Sequence, residues 1–188
     1  LVFKYAMDMA SPAVFLAGSM QRIEEWIEAG AGRVVLGTVA TLNPDLVKEA
    51  AKFFPDQIVL AVDVIDGHIA SHGWKEKTAY LAEDFIRLFE EDPLAGIVVS
   101  DINVDLDLNE DSLGLIAQLA KISKAPVIAR GLTRTLDDLA RIKFVPNISG
   151  AIVGRAENVR TEDATVLHKT TEVFLSVLLL DGVFDRHP

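Results

Sequence analysis

The sequence predicts an α/β protein of the TIM-barrel class, a (β/α)8 barrel made of two repeated half-barrels, and three observations predict it. Short apolar runs rich in Val and Ile recur along the chain, each followed by a longer stretch with helical spacing. Those runs are almost free of polar residues, the pattern of parallel strands covered on both faces. The chain also repeats itself. Pro12 through Trp26 (PAVFLAGSMQRIEEW) echoes Pro126 through Leu139 (PVIARGLTRTLDDL), and Gly32–Gly37 echoes Gly150–Gly154, at an offset of 113 to 118 residues. Two copies of a βαβα unit at that spacing suit a barrel of about 250 residues. With 188 residues this chain is short for that, and residues 57–123 have no full counterpart ahead of Pro12. The N-terminal βα units are therefore expected to be abbreviated or missing, within a single partial-barrel domain over 1–188.

The expected strands are Ala13–Leu16, Arg33–Leu36, Gln57–Val62, Ala95–Val99, Pro126–Ala129 and Gly150–Val153. Leu1–Met9 is a further candidate strand, with Asp8 echoing Asp101; only three residues separate Asp8 from Pro12, too few for a helix. Either that segment is abbreviated or a stretch between is absent from this sequence. A helix ends near Gly30 after Ile23, Trp26 and Ile27, since glycine suits a C-terminal cap. Another starts at Asn43-Pro44, an N-cap followed by proline in the first turn, with Leu46, Val47, Ala50 and Phe53 on one face. Over Thr78–Glu91, Leu81, Phe85, Leu88 and Phe89 form one stripe, and Glu83, Asp84, Arg87 and Glu90 are left to water, which predicts an outer helix. Leu136, Leu139 and Ile142 predict the last one.

Composition narrows the function. Half of the residues are hydrophobic, enough for a sizeable core, and 18 Lys+Arg against 28 Asp+Glu give a net charge of -10. That balance argues against non-specific binding to nucleic acid or anionic membranes. No apolar run approaches the roughly 20 residues of a membrane span; the best, Val173–Leu180, is interrupted at Ser176 and stops at Asp181. With no cysteine and no visible secretion signal, the cytoplasm is the expected compartment and a small molecule the expected partner. Two tempting metal patterns fail. In the acidic stretch from Asp101, a calcium loop would need glycine where Leu106 stands and glutamate where Ser112 stands. His68 and His72 are four apart, but Asp66-Gly67 and Gly73 mark a turn or hairpin there rather than a helix.

The ordered set Gly37-Thr38, Asn43–Ala50 (NPDLVKEA), Ile58–Asp63 (IVLAVD) with Asp66-Gly67 and Gly73-Trp74, and Gly150–Ala156 (GAIVGRA) resembles the HisA/HisF histidine-biosynthesis barrels, nearer the isomerase branch. The resemblance runs from about Val14 to Ala156 and implies a duplicated (β/α)8 barrel. It also implies an Amadori rearrangement, in which an aminoaldose bearing a phosphoribosyl group becomes an aminoketose. An acid opens the sugar ring and a base removes the proton from the adjacent carbon, work suited to two carboxylates in different environments. The family carries these on its first and fifth strands. Asp63 matches the fifth; the first has no secure match here. Ser100 matches a sixth-strand position where the isomerases carry an assisting hydroxyl.

The same resemblance implies two phosphate sites, one at Gly18, Ser19, Gly37 and Thr38 and the other at Gly131, Gly154 and Arg155, using backbone amides and, at Arg155, a charge-assisted bond. Arg130-Gly131 stands where the family has a glycine pair. No metal or organic cofactor is required by this chemistry. Each residue also has a plainer reading: an aspartate after a strand caps turns, a strand-end serine satisfies backbone groups, and glycine permits a tight turn. A relative serving as a binding or assembly protein, or acting on another substrate, is the competing functional expectation. The apolar fraction and the short barrel also suggest a homo-oligomer.

Overall fold

A computed structural model describes residues 5–6, 19–103, 110–132 and 136–152. In chain order its elements are β1 (Tyr5–Ala6), α1 (Met20–Glu28), β2 (Arg33–Leu36), α2 (Thr38–Leu42), α3 (Pro44–Phe53), β3 (Ile58–Ile65), β4 (His68–Ser71), β5 (Glu76–Leu81), α4 (Ala82–Arg87), β6 (Gly96–Asp101), α5 (Glu110–Ile122), β7 (Val127–Arg130), α6 (Leu136–Lys143) and β8 (Ile148–Ile152). Strands β1, β2, β3, β6, β7 and β8 lie side by side in that order, all parallel. A doubly wound sheet reverses its strand order at a switch point. Here the order never reverses, and the helices pack on one face of the strands, as in the TIM-barrel class.

The two faces of the strands are chemically separate. Toward the helices, Val34, Leu36, Ile58, Leu60, Val62, Val64, Ile97, Val99, Val127 and Ala129 form one buried cluster with Ile23, Val47, Phe85, Ile116, Leu119 and Ile142. Val59, Val98 and Ile152, with Val35 and Ile128, form a second, smaller cluster on the other side. That side is the inner face of the barrel wall. Small residues line part of it: a Cβ added at Gly37 would meet the Ala61 Cβ at 3.6 Å, an ordinary van der Waals contact.

Helix ends follow the expected chemistry. Asn43 accepts the Leu46 N–H on its side chain and Pro44 opens α3, whose Leu46, Val47, Ala50 and Ala51 are buried. Phe53, expected on that face, is exposed. Gly30 follows α1 with φ +96°, a conformation that glycine adopts without steric cost. Of the expected strands, five of six are present, Arg33–Leu36 with its expected bounds and the other four with bounds shifted by one to three residues. Ala13–Leu16 lies outside the described residues; Tyr5–Ala6, inside the candidate strand Leu1–Met9, pairs with Arg33 and Val34.

The expected helix over Thr78–Glu91 is corrected. Residues through Leu81 form β5, paired antiparallel with β4, and only Ala82–Arg87 are helical. The apolar spacing is that of a helix, but the backbone groups of 76–81 are taken by β4, and Leu81 and Leu88 are exposed while Phe85 and Phe89 are buried. The turn expected at Asp66-Gly67 is present with φ +49° and +75°, the paired positive angles of a tight hairpin. It folds β4 back on the end of β3. Among the described residues no helix is long and apolar enough to cross a membrane.

Candidate active site

The C-terminal ends of β3, β6 and β7 carry the chemistry. Cα partners across the ladder are Asp63 with Ser100, and Ser100 with Arg130. Parallel partners project to the same face, so these three side chains form a row on the inner face, with neighbouring strands about 4.8 Å apart. The row below it is apolar: Ala61, Val98 and Ile128. The inner face thus turns polar within two residues, at the end of the strands where barrel enzymes place their catalysis.

The β4–β5 hairpin closes over this row. His72, Gly73 and Trp74 have φ of +52°, +64° and +68°. Such angles are strained for a bulky side chain like tryptophan and persist where the surroundings enforce them. The reversal brings the Trp74 indole to Asp63, and Nε1 donates to Oδ2 at 2.8 Å. The Arg130 guanidinium lies 3.8 Å from Asp63 Oδ1 and 5.9 Å from the Trp74 ring centre. Burial pulls Arg130 below the ordinary arginine value, and the Asp63 charge opposes that shift. Across the row, the Ser100 hydroxyl is buried and has no hydrogen-bond partner among the described residues.

Thr38 has a different part. Its Oγ1 accepts the His72 N–H at 3.0 Å and so ties the hairpin turn to the start of α2. Ser19 caps α1, its Oγ accepting the Arg22 N–H at 3.4 Å. Gly37 stands beside Ala61 on the inner face, and Gly131 follows Arg130 with φ +83° in an exposed turn. Gly18, Gly154 and Arg155 lie outside the described residues. The structure therefore brings Asp63 and Ser100 together, sets Gly131 one residue beyond their row, and gives Ser19 and Thr38 hydrogen-bonding work of their own. Both histidines are engaged locally: His68 Nδ1 is 2.9 Å from the Asp66 carbonyl, and His72 Nδ1 is 3.2 Å from Glu76 Oε2.

Two residues of the site escaped the sequence reading. Trp74 was visible within Gly73-Trp74 but had no assigned role, and Arg130 was visible only as a departure from a glycine pair. Asp101, beside the row, is structural: it accepts from Ser112 Oγ at 2.6 Å and from the Asn103 N–H at 3.0 Å, which fastens the end of β6 to α5.

Comparison with known proteins identifies the family. The profile of the family described as "Histidine biosynthesis protein" matches residues 17–157. A 1-(5-phosphoribosyl)-5-((5-phosphoribosylamino)methylideneamino) imidazole-4-carboxamide isomerase 2 from Ruegeria pomeroyi is 52% identical over 157 residues, covering 80% of this chain and 64% of that protein. The corresponding isomerase 1 of Ruegeria sp. strain TM1040 is 49% identical over 138 residues, covering 73% and 56%. The Roseobacter denitrificans isomerase is 44% identical over 137 residues, covering 73% and 57%. The chain thus spans 56% to 64% of the length of these relatives. A family match over most of the chain, falling on a sequential parallel sheet with its polar row at the strand ends, leaves one conclusion: the chain belongs to the histidine biosynthesis protein family.

Proposed function

We propose that this protein is an isomerase of the aldose-to-ketose type, acting on an aminoaldose that carries phosphoribosyl groups. The observation that carries the reading is the pairing of Asp63 with Ser100 on the inner face at the strand ends. A carboxylate held by an indole N–H beside a buried hydroxyl is equipped to move a proton at a sugar carbon. In this reading Asp63 is the acid or base and Ser100 assists it. The relatives' names point the same way, since each describes an isomerase of a compound with two phosphoribosyl groups. Gly18, Ser19, Gly37, Thr38, Gly131, Gly154 and Arg155 are proposed to hold its phosphates. The reaction requires no metal or organic cofactor, because ring opening and enolisation are proton transfers.

The test is Asp63→Asn in the full-length protein, assayed with the phosphoribosyl aminoaldose. Turnover is expected to fall by at least about 10²-fold with KM nearly unchanged, the signature of a group that acts in the transition state. Unchanged turnover removes Asp63 from the mechanism. A cytoplasmic location and self-association belong to the same reading. Leu42, Phe53 and Phe144 are exposed large apolar residues suited to contact between copies, and sedimentation showing only monomer at micromolar concentration ends that part of it.

A further inference from the structure

Asp63 and Arg130 are not neighbours on the barrel wall. Ser100 stands between them in the ladder, so their ion pair crosses two strand spacings, roughly 9.6 Å. A long side chain can make that crossing only over a small residue. Arg130 supplies the length, and Ser100, buried on β6, is the small residue between. The guanidinium then faces two groups from two other elements, Asp63 Oδ1 on β3 at 3.8 Å and the Trp74 ring of the hairpin, whose centre is 5.9 Å away. Trp74 in turn donates from Nε1 to Asp63 Oδ2. Each corner of this triangle engages the other two. An ion pair whose side chains are 20% and 21% exposed adds little net stability, because desolvation offsets the attraction. What the triangle does fix is direction. An aspartate carboxylate turns easily about its last bond, but here one oxygen is bound to the indole and the other faces the cation. The Trp74 backbone, at φ +68°, persists only where its surroundings hold it, and a cation over the ring is one such hold.

We propose that Arg130 is a positioning residue: reaching across Ser100, it clamps the Trp74 indole and the Asp63 carboxylate in one geometry and acts on turnover through Asp63, without touching the substrate. The proposal deepens the isomerase reading and rests on it for the reaction. Arginine suits the task better than lysine, because its planar group can lie over an aromatic ring while still facing a carboxylate.

Two measurements on the full-length protein test the clamp. The first needs no substrate. Trp26 is the other tryptophan of the sequence, so a Trp26→Phe background isolates the Trp74 emission. Arg130→Met removes the charge and keeps an apolar stem; it is expected to raise acrylamide quenching of Trp74 about twofold as the ring loses its cation, and Arg130→Lys is expected to raise it less. Quenching unchanged in Arg130→Met overturns the proposal. The second is steady-state turnover of the phosphoribosyl aminoaldose per folded molecule. Arg130→Met is expected to lower kcat about tenfold with KM changed less than about twofold, the pattern of a misaligned reacting group, and Arg130→Lys to recover part of the loss. A raised KM at constant kcat makes Arg130 a ligand contact and overturns the proposal. A loss of kcat with Trp74 quenching unmoved is a general structural effect and overturns it too. Should Arg130→Met fail to fold, Asp63→Asn serves, since neutralising that corner is expected to loosen Trp74; quenching unmoved there is equally fatal. The two readings fail separately: absent turnover in the unsubstituted protein removes the isomerase, whereas Trp74 emission indifferent to Arg130 removes the clamp alone.

Discussion

The two faces of the same strands obey different rules. Along β3, Leu60, Val62 and Val64 point to the helices and are fully buried, while Val59, Ala61 and Asp63 alternate with them on the inner side. The helix side stays apolar along the strand, whereas the inner side is interrupted by a charge at Asp63. Strands of period two let one segment serve both purposes, because adjacent residues never share a face. The helix side sets stability and the inner row sets chemistry, with little overlap.

That division can be broken by substitution. The largest effect is expected from Phe85→Ala on the helix side. Phe85 is fully buried, with the Tyr80 and Phe89 ring centres at 5.2 and 5.4 Å, and its loss should cost about 3–5 kcal/mol. Urea unfolding measures this, and turnover per folded molecule should not change; a matching loss of turnover would show that the two faces are coupled. On the inner side, Trp74→Gly is expected to do the reverse. Glycine relieves the left-handed backbone at φ +68°, so stability should hold or rise by up to about 1 kcal/mol. Turnover should fall about tenfold or more, because Asp63 loses its N–H donor. If stability falls with turnover, the indole is a packing residue and the comparison blurs. The smallest effect is Asn43→Ala, about 1 kcal/mol from the lost cap of α3, read as a lower melting temperature at constant turnover.

What could be read from the sequence follows the same division. Parallel strands covered on both sides appear as apolar runs, so β2, β3, β6, β7 and β8 were legible in order, as were the α3 cap and the Asp66-Gly67 turn. Strand β5 was not. Its residues are exposed nearly throughout, which leaves no alternation to detect, and its state is decided by pairing with β4. Leu81, Phe85 and Leu88 happen to have helical spacing, and local periodicity had no competitor. Within the site, Asp63 and Ser100 were legible through their place at the ends of apolar runs and through resemblance. Arg130 was legible only as an absent glycine, because its meaning comes from a cross-strand register that no local pattern encodes.

Asn147 shows how such modules depend on one another. It stands with φ +62° just before β8, and its side-chain amide donates to the carbonyls of Ala120, Ser123 and Ala125. An amide has two hydrogens, so one of them is shared between acceptors. The carbonyls left over at the end of α5 are therefore satisfied by a residue that arrives one βα unit later. That unit is a lock for its predecessor, and α5 should keep a frayed last turn, open to hydrogen exchange, until β8 has joined the wall.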